Sequence, residues 1–85
     1  MTMALPSGWL ELTDNEAPII RSYQKTYADG LAVLLTIAQR NGGYELWSLA
    51  ESRCAGPAEN CDSQHHHLDA AIAAALAEMT AWDND

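Results

Sequence analysis

Cys54, Cys61 and the run His65, His66 and His67 fall within one 14-residue stretch, and thiolate plus imidazole is the donor set that Zn2+ prefers, at about 2.0 to 2.3 Å. The spacing weakens that reading. Structural zinc cysteines usually stand about two to four residues apart, whereas six residues separate Cys54 from Cys61, and only one of three consecutive histidines at a helix start points at a given spot. A zinc-stabilised module would also need a fourth ligand, from Asp62 or a second histidine. Two simpler states remain open, a Cys54 to Cys61 disulfide or a pair of free thiols. Met1 to Pro6 has no basic residue ahead of an apolar run, so it does not read as a secretory leader, and free thiols in the cytoplasm are the expectation.

Nucleophilic catalysis needs a base about 3 Å from the attacking group and a third group to orient that base. Cys61, His65 and Asp62 supply the types, but as neighbours in a segment of loop composition they lack a rigid support. Phosphate-cradling glycine patterns are absent, because Gly42-Gly43 is followed by neither a helix nor a lysine. Paired carboxylates carry no weight without a cleft. No enzyme and no cofactor is expected.

The carboxylates say more as a surface. Twelve acidic side chains stand against four basic ones, for a formal charge of -8 and a pI near 4.5. Such a molecule repels nucleic acid and anionic membrane and favours a basic partner. Glu11 shares a strand face with Trp9 and Thr13, and Glu45 and Glu51 share one with Trp47 and Leu49. Asp14 and Glu16 lie in a turn. Glu11, Asp14, Glu16, Glu45, Trp47 and Glu51 are therefore the candidate partner-binding residues, although acidic surfaces also serve solubility alone.

The elements that must position these residues belong to one domain, since 85 residues and 9.2 kDa leave no room for two. The apolar fraction is 48%, but 15 of those residues are alanine, so the core is lean. The longest strongly apolar run, Leu31 to Ala38, falls far short of the roughly 20 residues that span a bilayer.

Alternation and turn chemistry predict strands over about 9–13, 19–27, 31–40 and 44–50. Leu31 to Arg40 also fits a helix by composition, but turn signals at Asp29-Gly30 and Asn41-Gly42 bound it and favour a strand. Residues 51–64 are rich in Ser, Cys, Gly, Pro, Asn and Asp and read as a loop. Half of the residues from Asp69 to Trp82 are alanine, and a helix over about 66–82 is predicted. Its core stripe is Leu68, Ile72, Ala75, Leu76, Met79 and Trp82. Ala70, Ala73, Ala74, Ala77 and Ala81 lie opposite, where small side chains suit a homodimer seam, a partner site or the underside of the loop. The charged tail Asp83-Asn84-Asp85 opposes the helix dipole and should fray. The predicted fold class is α+β, a three- or four-stranded antiparallel meander with one C-terminal helix packed on a face.

The short length, the acidic excess carried by residues such as Glu11, Asp14, Glu16, Glu45 and Glu51, and a meander followed by the Asp69 to Trp82 helix together resemble small phage-encoded inhibitors, the anti-CRISPR proteins. That resemblance spans the chain loosely and transfers no individual residue. It implies cytoplasmic binding to a CRISPR effector complex, by blocking its basic DNA site.

Overall fold

Alternating apolar residues between tight turns give the chain four of its strands, and the computed structural model, which describes residues 5–54 and 56–84, contains a fifth. The order is β1 (Leu10–Leu12), β2 (Ile19–Thr26), β3 (Ala32–Arg40), β4 (Gly43–Glu51), β5 (Ala58–His65) and α1 (Leu68–Asp83). Each strand pairs antiparallel with the next in sequence, forming one five-stranded meander. The fold is α+β as predicted, with one strand more.

The additional strand occupies much of the segment whose composition predicts a loop. Asn60, Asp62 and Ser63 favour turns in isolation, but the free edge of β4 offers unpaired N–H and C=O groups that a neighbouring strand satisfies. As an edge strand facing water, β5 needs no hydrophobic alternation, and most of its residues are exposed.

Leu31 to Arg40 is decided by its place in the sheet. β3 is central, pairing with β2 on one side and β4 on the other, so its backbone groups are satisfied along both edges, and its side chains alternate between buried Val33, Leu35 and Ile37 and half-buried Leu34 and Thr36. Its hairpin to β4 turns at Asn41 (φ 53°) and Gly42 (φ 77°), the two positive angles of a tight two-residue loop. The β2 to β3 hairpin closes through Tyr27 N–H to Leu31 O at 2.7 Å and Gly30 N–H to Tyr27 O at 2.9 Å.

The core lies between the sheet and α1. Val33, Leu35, Ile37 and Leu46 are buried from the sheet, and Ala71, Ala75 and Met79 from the helix, with Trp9 and Tyr23 closing one side. Ala75 and Met79 come from the predicted stripe, while Leu68, Ile72, Leu76 and Trp82 pack at its margin. Ala71 was not in that stripe, yet it is fully buried. Together with Ala75 it lets the helix axis approach the sheet closely. Of the opposite alanines, Ala74 packs against the core margin, whereas Ala70, Ala73, Ala77 and Ala81 are exposed.

The expected fraying of the helix end does not extend to Asp83. Its carboxylate accepts hydrogen bonds from Lys25 Nζ (2.8 Å) and Tyr27 Oη (2.8 Å), and from Trp9 Nε1 at 3.4 Å. Three donors from the other end of the chain outweigh the unfavourable dipole.

Candidate partner-binding face

Strand pairing sorts side chains into rows across the sheet. One row runs Glu11, Tyr23, Leu35, Ser48 and Asn60, and its middle members are buried beneath α1. The adjacent rows project to the opposite side. They run Leu10, Gln24, Leu34, Leu49 and Glu59, then Leu12, Ser22, Thr36, Trp47 and Cys61. Glu45 and Glu51 alternate with Trp47 and Leu49 on β4 and belong to this second side.

This second side is apolar at its centre and largely uncovered. Leu10 is 66% and Leu12 37% exposed, and Leu34, Trp47 and Leu49 are half-buried. The connection between β1 and β2 covers one corner, where Ser22 Oγ donates to Asn15 Oδ1 and Asn15 Nδ2 donates to Leu12 O at 3.1 Å.

The predicted site residues divide between the two sides. Glu45, Trp47 and Glu51 share the uncovered face, as expected from their alternation. Glu11 stands on the α1 side, in the row of Tyr23, and pairs with Arg21 Nη1 at 3.1 Å. Asp14 and Glu16 are exposed in the β1 to β2 connection. Glu59, read from composition as a loop residue, is brought onto the uncovered face by β5.

The charges on this face are not equivalent. Glu45 is half-buried; its Oε1 accepts from Trp47 Nε1 at 3.1 Å and lies 3.6 Å from Arg40 Nη1. Glu51 and Glu59 are exposed and have no ion pair among the described residues. Of the four basic side chains, Arg21 is held by Glu11, Lys25 by Asp83 and Arg40 by Glu45. Arg53 lies in the β4 to β5 connection beside Gly30.

The Cys/His segment is dispersed by the same alternation. Cys61 lies in the row of Trp47 on the uncovered face, and Cys54 in the connection before β5; both are exposed free thiols. His65 pairs with Tyr44 and projects to the α1 side. Among the described residues no three His, Cys, Asp or Glu side chains converge as a metal ion needs. The Cys61, His65 and Asp62 arrangement is likewise not assembled. His65 Nε2 instead lies 2.8 Å from Ser63 Oγ, a hydroxyl–imidazole pair on one strand.

On the α1 side, Asp62 meets Glu78. Burial, followed by the negative charge of Asp62 and a hydrogen bond with it, pushes the Glu78 carboxyl above its ordinary value. Tyr27 is pushed up to about 12 by burial and by the Asp83 carboxylate it donates to. Burial, with Glu11 adding and Arg21 opposing, raises Tyr23.

No family model matches the chain, and no curated protein or solved structure matches it. No helix among the described residues is long and apolar enough to cross a membrane.

Proposed function

We propose that this protein is a small non-enzymatic binding protein that occupies the basic nucleic-acid-binding surface of another protein, as the anti-CRISPR inhibitors it resembles do. The supporting observation is that Glu51 and Glu59, without an ion pair among the described residues, flank Leu49 on the uncovered sheet face, where Arg40 is already held by Glu45. Carboxylates displayed this way present a groove lined with lysine and arginine with the charge of a phosphate backbone, and the -8 net charge steers the encounter. The partner class is a nucleic-acid-handling complex, with a CRISPR effector complex in the host cytoplasm as the specific candidate. The protein itself binds neither nucleic acid nor membrane.

The test is co-elution of the purified protein with a purified CRISPR effector complex, with and without target DNA. The expected result is a complex that DNA displaces and that Glu51→Lys with Glu59→Lys disrupts without unfolding the domain. Co-elution unaffected by DNA or by the two substitutions removes charge mimicry at this face, and no co-elution removes the CRISPR assignment.

A further inference from the structure

We infer that the row of leucines crossing the uncovered face, rimmed by Glu51 and Glu59, docks a protein segment that presents aliphatic side chains interleaved with lysine or arginine. The inference rests on the binding role proposed above and adds what charge mimicry does not require. A carboxylate surface that only imitated phosphates would need no Leu34 and Leu49 side by side next to Glu59, with Leu10 beyond Gln24 in the same row. Leu34 and Leu49 are half-exposed neighbours in that row and Leu10, beyond Gln24, is exposed, and apolar side chains gathered on an open sheet face mark a contact surface. Protein interfaces have this layout, with an apolar centre and a polar rim that sets orientation.

The rim chooses between occupants. A second copy would set Glu51 and Glu59 of one chain against an equally acidic face, and Arg40, the one basic side chain on the Glu45 flank, is already engaged by Glu45. Nucleic acid would bring phosphates to the same carboxylates. A basic polypeptide meets both parts: its aliphatic groups cover Leu10, Leu34 and Leu49, and its cations reach Glu51 and Glu59.

The experiment uses two synthetic peptides with the same number of lysines, one alternating lysine with leucine and one interleaving lysine with glycine. Binding is followed by Trp47 fluorescence and by backbone amide shifts, and the mass of the free protein by sedimentation. We expect the leucine peptide to bind about 10-fold more tightly or better, because even one well-covered leucine is worth that ratio. The largest shifts should fall on Leu10, Leu34 and Leu49. Leu10→Ser, at an exposed position on the edge strand, should narrow the ratio without changing the fold, and Leu10→Ser with Leu49→Ser should abolish it. Glu51→Gln with Glu59→Gln should weaken both peptides. Equal binding of both peptides at this face overturns the inference and leaves the charge reading standing. No binding of either, or binding indifferent to Glu51 and Glu59, overturns both. A dimer in sedimentation that Leu10→Ser dissolves assigns the row to a second copy and overturns the basic segment.

Discussion

Lys25 Nζ lies 2.8 Å from Asp83 Oδ1, joining the second strand to the last turn of the helix across 58 residues of sequence. Lys25 also sits 4.8 Å from the centre of the Tyr27 ring, and Tyr27 donates to the same carboxylate. This cluster fastens the helix end to the β1 and β2 side of the sheet, which α1 otherwise reaches through few contacts, since it packs chiefly over β4 and β5.

Asp83→Ala is expected to lower Tm by several degrees at pH 7, and Asp83→Asn, which still accepts hydrogen bonds, by less. The Asp83 carboxyl is held below its ordinary value first by the Lys25 hydrogen bond and then by that of Tyr27. The folded state therefore binds fewer protons at this group than the unfolded state. Its stabilisation is complete above the ordinary carboxylate value of about 4 and is lost as pH falls through the lowered one. Thermal melts at pH 7 and pH 3 should show the wild type and Asp83→Ala converging at the acid end.

Glu78 carries the opposite sign. Its raised value means that the folded state binds more protons there, so its contribution is present at low pH and is lost as pH rises through the raised value. Glu78→Gln keeps a hydrogen-bonding side chain beside Asp62 and removes the like charge. It is expected to raise Tm by about 2 to 4 °C at pH 7, from roughly 0.5 kcal/mol of relieved repulsion, and by less at pH 4. A lower Tm at pH 7 would show that the ionised pair is not unfavourable.

The close approach of α1 to the sheet gives a paired test. Ala71 is fully buried and Ala73 is exposed on the same helix. Ala71→Leu should destabilise by about 1 to 3 kcal/mol through overpacking, and Ala73→Leu by no more than about 0.5 kcal/mol. Urea titrations of both variants check the difference, and equal effects would mean that the helix stands farther from the sheet than described.

At Gly42 the turn alone sets the cost. An added Cβ would meet nothing within 4 Å, but the φ of 77° is one that side chains rarely adopt. Gly42→Ala should therefore cost about 1 kcal/mol, seen as a Tm lower by about 4 to 8 °C. Gly43→Ala fails for a different reason, because its Cβ would come within 2.9 Å of the His65 backbone oxygen.

The sequence by itself determined what depends on neighbours along the chain. Alternation in Ile19 to Tyr27, the Asp29-Gly30 and Asn41-Gly42 turns, and the alanine-rich run to Trp82 mark three strands, two hairpins and the helix close to their observed limits. The same alternation placed Glu45, Trp47, Leu49 and Glu51 on one face. What only the tertiary structure decided depends on partners distant in sequence. β5 forms because β4 leaves an edge to pair with, a fact invisible in the turn-like composition of Asn60, Asp62 and Ser63. Ala71 is central because the helix settles close to the sheet, and hydrophobic patterning gives so small a side chain little weight. Glu11 and Glu45 lie on opposite sides because the register of β1 on β2 turns Glu11 toward Tyr23. Asp83 is ordered because Trp9, Lys25 and Tyr27 converge on it, and no local rule anticipates donors from the opposite end of the chain.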